Sequence, residues 1–100
     1  MLTHIVMWKF QDYAAGADRE TNLLLAREKL LSLKHRIPEI REWIVRHNVT
    51  AHHQAYDIVL VSTFADADAL VRYQQHPLHQ EVVQFLRAVQ SGRVFVDYET

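Results

Sequence analysis

The sequence predicts one α+β domain spanning residues 1–100, with helices covering one face of a four-stranded antiparallel sheet. The length is close to the commonest domain size. Hydrophobic residues make up 49% of the chain, which is enough to build a core. Segments with strand-like apolar patterns alternate with segments of helical spacing, in the order strand, helix, strand, strand, helix, helix, strand.

The composition excludes several functional classes. The formal net charge is −1 and the basic residues form no cluster, so we expect no nucleic-acid partner. The absence of cysteine excludes a disulfide framework, a thiolate zinc site and a cysteine nucleophile. The apolar runs are short and the first residues do not resemble a signal peptide, so we expect a soluble cytoplasmic protein without a membrane segment.

The first half of the chain predicts a strand, a helix and a second strand. Residues 2–10 are rich in β-branched and aromatic residues and contain no breaker, which favours a strand. After a polar loop over residues 11–17, Asp18 is expected to cap a helix over residues 19–35, with apolar residues at helical spacing. Residues 40–50 alternate less regularly, as is typical of an edge strand.

The second half predicts a strand, two helices and a final strand. Residues 56–64 form a nearly continuous apolar run, typical of a strand that is buried on both faces. A helix capped by Asp66 is expected to break at His76-Pro77, because proline is favoured in the first turn of a new helix. That helix should end at Ser91-Gly92, and residues 93–99 should form the last strand.

This order corresponds to a ferredoxin-like βαββααβ domain with the strand order 4-1-3-2, counting four strands. The first strand is then central, and the face of the sheet without helices would be a large apolar patch. Soluble monomers rarely expose such patches, so we expect a homodimer in which two sheets stack. The residues expected in this interface are Ile5, Met7, Ile58, Leu60, Val94 and Val96.

Two groups of polar residues are candidates for catalysis. His4 lies on the predicted helix-facing side of the first strand, where the antiparallel order brings Asp97 next to it, and a carboxylate there would fix the imidazole tautomer. Tyr73 and His79 flank the proline break, which can direct both side chains to one cavity. A phenol and a neutral imidazole can act as acid and base on a carbonyl compound without a cofactor. Both groups could instead be structural.

A small-molecule pocket is expected between the sheet and the helices. Apolar walls with a few convergent polar groups are typical of such sites, although a filled core has the same residue types. The expected lining residues are Val6, Trp8, Val59, Val61, Leu86 and Phe95. A metal site would need His4 as a third ligand beside His76 and His79, and the proline break disturbs their spacing, so none is predicted.

Four segments resemble the stress-responsive A/B barrel (Dabb) family. They are MLTHIVMWKF at the start, YDIVLVSTF in the middle, YQQHPLHQEV later and VFVDYE near the end. The most specific part is Tyr73-x-x-His76-Pro77-x-His79. The resemblance implies a dimeric α+β barrel built from ferredoxin-like protomers. It also implies an acid–base pair of Tyr73 and His79, as in the plant polyketide-cyclase branch, although that branch has a histidine near Asp57.

Three functions follow from these observations. The first is a homodimer that binds a small, largely apolar carbonyl or aromatic compound, with cofactor-independent acid–base activity of a cyclase or lyase type. The second is a non-catalytic, stress-related dimer, and the third is a cofactor-free monooxygenase with the related fold. An open apolar cavity reached by Tyr73 and His79 would favour the first function, and a filled interior would favour the second.

Overall fold

The computed structural model describes residues 1–100 and contains three helices and six strands. In chain order these elements are β1 (Leu2–Phe10), β2 (Tyr13–Ala14), β3 (Ala17–Asp18), α1 (Arg19–Ser32), β4 (Glu42–His47), β5 (Ile58–Phe64), α2 (Ala67–Gln75), α3 (Pro77–Val89) and β6 (Gln90–Glu99). Strand β1 and helices α2 and α3 have the predicted bounds. Strand β6 begins directly after α3, so Ser91-Gly92 lies within it. None of the helices has the length and apolar character needed to cross a membrane.

The main sheet contains four antiparallel strands in the order β4-β5-β1-β6. The ferredoxin-like α+β class with a four-stranded antiparallel sheet is therefore confirmed. The labels differ from the predicted order 4-1-3-2 because that scheme numbered only four strands and did not include β2 and β3. Strand β1 is central and pairs with β5 on one side and with β6 on the other.

The small hairpin β2–β3 occupies the segment that was expected to be a loop. Its two-residue turn places Ala15 at φ 51° and Gly16 at φ 79°, as required by the hairpin turn that matches strand twist. The buried Asn22 of α1 donates from Nδ2 to the Ala14 carbonyl at 2.9 Å and so holds the hairpin against the helix. The predicted cap of α1 is confirmed, because the Asp18 carboxylate accepts from Thr21 N at 2.8 Å.

The boundary between α2 and α3 lies at His76. This residue has φ −65° and ψ 134°, which is an extended conformation that ends α2. Its Nδ1 atom accepts from Leu78 N at 3.1 Å, so the same side chain caps α3, which begins at Pro77. The predicted break is confirmed, and its cause is the restriction that proline places on the residue before it.

The register of β1 determines which side chains face the helices. Val6 pairs with Leu60, and Trp8 pairs with Ile58, so all four lie on the helix-facing side. Leu60 is 1% exposed and belongs to the core. The prediction that Ile58 and Leu60 lie on the open face is therefore wrong.

The neighbouring residues Val59 and Val61 occupy the open face instead of the pocket, because successive side chains of a strand alternate. The error arose because residues 58–61 are all apolar, so their pattern does not show which face each residue occupies.

Replacing Leu60 with alanine tests this assignment of faces. We expect Leu60→Ala to lower the free energy of unfolding by about 2–5 kcal/mol, since it truncates a buried side chain. The control Leu24→Ala makes the same change at a position that is 64% exposed and should stay within about 0.5 kcal/mol of wild type. Urea denaturation measures both, and equal effects of the two substitutions would contradict the assignment.

Candidate functional site

A cavity of about 320 Å³ lies between the main sheet and helices α2 and α3. Its apolar floor includes Val6 and Trp8 of β1, and Leu86 of α3 lies on the opposite wall, so these three expected residues do line it. Leu60 lines it as well. The other expected lining residues lie elsewhere, since Val59 and Val61 occupy the other face of the sheet.

Phe95 stands beside the cavity and does not form part of its wall. It is on the helix-facing side of β6, opposite Val6, but it remains 58% exposed. The reason is that β6 packs chiefly against β1 and only weakly against the helices. The cavity is therefore bordered on this side by a strand whose side chains are accessible.

Tyr73 and His79 lie in contact at the cavity wall, with 4.3 Å between their ring centroids. Tyr73 is almost completely buried and also packs against the rings of Trp43 and Phe64. Burial raises the pKa of the Tyr73 phenol, and the charge of Arg93 only partly opposes this rise. The phenol is therefore protonated at neutral pH and can donate a hydrogen bond.

The surroundings of His79 favour a neutral imidazole with a defined tautomer. Its Nδ1 atom lies 3.0 Å from the Gln74 carbonyl oxygen, which can only accept, so the proton is assigned to Nδ1 and Nε2 is left as an acceptor. Burial lowers the pKa of His79, the bond to Gln74 opposes this, and the charges of His4, Arg93 and His76 lower the pKa further. At neutral pH the group is a base.

His4 and Asp97 form the second polar group of the cavity. They are direct partners across β1 and β6, and His4 Nδ1 is hydrogen-bonded to the Asp97 carboxylate. His4 is 3% exposed, and Ser62 anchors its backbone by donating from Oγ to the His4 carbonyl at 3.0 Å. The carboxylate fixes the tautomer with the proton on Nδ1, which leaves Nε2 of a cavity-lining imidazole as an acceptor.

Three polar atoms of this site have no hydrogen-bond partner within the chain: the Tyr73 hydroxyl, His79 Nε2 and His4 Nε2. The buried side-chain atoms without a hydrogen-bond partner are Arg19 Nε, His47 Nε2 and Gln90 Oε1. The three atoms of this site are not among them, so they are not fully buried. The three atoms are therefore accessible from the cavity. Together they offer one donor and two acceptors to a molecule bound there.

His76 has a structural position, since its Nδ1 atom is used in capping α3. No group of three or more His, Cys, Asp or Glu residues is placed to hold a metal ion.

The sequence did not identify two features of the site. The Gln74 carbonyl sets the tautomer of His79, but a backbone group leaves no signal in the sequence. Arg93 lines the cavity opposite Trp8, and its even spacing from Asp97 along the last strand could have placed its charge there.

Comparison with known proteins identifies the family. Residues 2–100 match the Stress Responsive A/B Barrel Domain (Dabb). The chain belongs to the stress-responsive A/B barrel family. An uncharacterized protein of Streptomyces coelicolor is 36% identical to this Dabb protein over 99 residues, which cover 99% of each chain.

Solved structures show the same fold. A dimeric protein of unknown function with a ferredoxin-like fold from Bacteroides fragilis is 28% identical to this Dabb chain, with a TM-score of 0.83 and coverage of 99% of this chain and 95% of that one. A hydroxynitrile lyase from Passiflora edulis is 17% identical, with a TM-score of 0.77 and coverage of 97% and 90%. At this lower identity the likeness concerns the fold alone.

The electrostatic surroundings of His79 predict its titration. We expect the pKa of its imidazole to lie below the ordinary value of 6.5, since burial disfavours the charged form and the charges of His4, Arg93 and His76 act in the same direction. Only the bond to the Gln74 carbonyl opposes them. NMR of the imidazole nitrogens as a function of pH measures this. A midpoint at or above 6.5 would contradict the described environment.

The same shift predicts how stability depends on pH. Because the unfolded chain binds the His79 proton more readily than the folded chain, stability is lost as pH falls from about 6.5 through the lowered pKa. His79→Gln should reduce this loss. The control His35→Gln removes an imidazole from an exposed turn and should keep the wild-type dependence.

Proposed function

We propose that this Dabb protein acts in the cytoplasm as a homodimer that binds a small, largely apolar carbonyl compound and catalyses proton transfer without a cofactor. The observation that carries the proposal is the contact between Tyr73 and His79 at the wall of the cavity, with a free hydroxyl and a free Nε2. Its volume of about 320 Å³ fits the lower end of the range of about 300–1,000 Å³ for small-molecule sites.

The chemistry follows from the protonation states of the pair. His79 Nε2 takes a proton from the carbon next to the carbonyl group. The electron pair of that C–H bond forms a carbon–carbon double bond, and the π electron pair of the carbonyl group moves to its oxygen, which gives an enolate. The Tyr73 hydroxyl donates a hydrogen bond to this oxygen and stabilises its negative charge. For exchange, the proton on His79 is replaced by one from solvent, which then returns to the same carbon. For cyclisation, the enolate carbon attacks a second carbonyl group of the ligand, and the oxygen of that group takes the proton from His79.

His4 has a complementary role on the opposite wall. The Asp97 carboxylate orients its ring and keeps Nε2 as the acceptor that faces the cavity. A second base with a fixed tautomer lets the cavity exchange protons with two positions of a bound molecule.

A dimer without catalytic function would be expected to have an interior filled by side chains. The observed cavity and its partnerless polar atoms therefore favour a ligand-binding site. The Passiflora hydroxynitrile lyase supports the idea that a protein with this fold can be an enzyme.

Proton exchange can be measured directly. We expect the wild-type protein to accelerate deuterium incorporation into the methyl group of acetophenone in D₂O, followed by ¹H NMR. Tyr73→Phe and His79→Gln should each lower the enzymatic rate by about 10²–10⁴, the usual contribution of a general acid or base. His35→Gln should leave the rate unchanged.

Thermal denaturation of the same variants separates catalysis from packing. Tyr73→Phe removes only a hydroxyl that has no partner in the chain, so the melting temperature should change little.

In the exchange experiment, a wild-type rate no faster than the rates of both variants would refute the acid–base role.

The open face of the sheet is the proposed dimer interface. Partly exposed apolar side chains from β4, β1, β5 and β6 form a continuous surface there: Ile44, Ile5, Met7, Val59, Val61, Val94 and Val96. A second sheet stacked at about 10 Å would bury this surface. The Bacteroides fragilis protein of the same fold is dimeric, which supports a dimer for this chain as well.

A charge placed on this surface should separate the protomers. We expect Val96→Asp to convert a dimer into a monomer, because the interface would otherwise bury an unpaired carboxylate. Val49→Asp is the control, since Val49 is 94% exposed outside the sheet and should keep the dimer. Sedimentation equilibrium distinguishes the outcomes, and a wild-type monomer or an unaffected Val96→Asp dimer would exclude this interface.

A further inference from the structure

Two arginines lie at the cavity, and no acidic residue lines it. Arg93 comes from β6, where it is the direct partner of Trp8, and Arg87 comes from the last turn of α3. The other polar lining residues are histidines, glutamines and Tyr73, none of which carries a negative charge at neutral pH. The wall of the cavity is therefore positively charged on this side.

The charges of both arginines lack a counterion within the chain. The ion pairs of the protein are His4–Asp97, Arg19–Asp12 and Arg72–Glu39. The Asp97 carboxylate lies on the same side of β6 as Arg93, but it is bonded to His4. The contact found for the Arg93 guanidinium is with the Phe95 ring, at 5.1 Å from the ring centre, which leaves its donors free to bind an anion.

Arg93 is also close enough to influence the acid–base pair. Its charge opposes the rise in the pKa of Tyr73 and contributes to the lowered pKa of His79. Because Arg93 lines the same cavity as Tyr73 and His79, one ligand can reach both the guanidinium and the reacting pair. An apolar segment of that ligand would contact Trp8.

We propose that the ligand of this cavity is a keto acid, whose carboxylate is bound by Arg93 while its carbonyl group lies between Tyr73 and His79. This inference rests on the proposed function and specifies its substrate class. The guanidinium presents two parallel N–H donors that match the two oxygens of a carboxylate. A bound carboxylate would also supply the missing counterion.

A pair of probes that differ only in charge tests the proposal. 3-Benzoylpropionate carries an aryl ketone and a carboxylate, and its methyl ester has the same ketone without the charge. Dissociation constants are measured by isothermal titration calorimetry at low ionic strength, for the wild-type protein and for Arg93→Gln. The control Arg27→Gln removes an exposed arginine of α1 that does not line the cavity.

We expect the wild-type protein to bind the acid about tenfold more tightly than the ester, as for a charge-assisted hydrogen bond. Arg93→Gln should lower the affinity for the acid much more than that for the ester and so abolish this preference, and Arg27→Gln should retain the preference. Circular dichroism confirms that the variants are folded, which is expected because Arg93 is exposed.

Other outcomes overturn the proposal in distinguishable ways. Equal affinity for both probes, or a preference that survives Arg93→Gln, overturns the carboxylate site, while acetophenone exchange by the wild-type protein would leave the proposed function intact. Absence of both probe binding and acetophenone exchange overturns the two proposals together.

Discussion

The pairing of β1 with two antiparallel neighbours is the constraint on which the rest of the molecule depends. Its register places His4 beside Asp97 and Trp8 beside Arg93, on the side of the sheet that the helices cover. A slip of one residue in either pairing would move every side chain of that strand to the other face. The polar groups of the cavity and the apolar open face are therefore set by the same hydrogen-bond ladder.

The break between α2 and α3 supplies the other half of the site. In one continuous helix, two residues six positions apart are separated by about 9 Å along the axis and lie about 120° apart around it. At the break, His76 adopts an extended conformation and the chain changes direction, so the rings of Tyr73 and His79 come into contact. Pro77 favours this geometry because it restricts His76 and has no N–H to satisfy.

The sequence predicted the fold well where strong local signals mark the ends of elements. The cap at Asp66 and the break before Pro77 gave the correct bounds of α2. Pro77 and the apolar stripe that follows it gave those of α3. Residues 58–61 carried no alternation, so their faces could be assigned only from the register with β1. The turn Ala15-Gly16 lacks the residues that most strongly signal a hairpin, and Gly92 pairs with Lys9 inside a strand instead of ending a helix.

The candidate site was less accessible to sequence reasoning, because a cavity is a property of packing. The residue types of Tyr73 and His79 identified them as a candidate acid–base pair, but a tyrosine and a histidine can also be packed in a core. The distinction rests on polar atoms that have no partner within the chain and remain accessible from the cavity, where a bound molecule can reach them. A Phe and a Leu at these positions would fill a core with apolar contacts and would offer no donor or acceptor to a ligand. Which of the two a pair of residue types forms is decided by how the helices pack on the sheet, and the sequence does not state that packing directly.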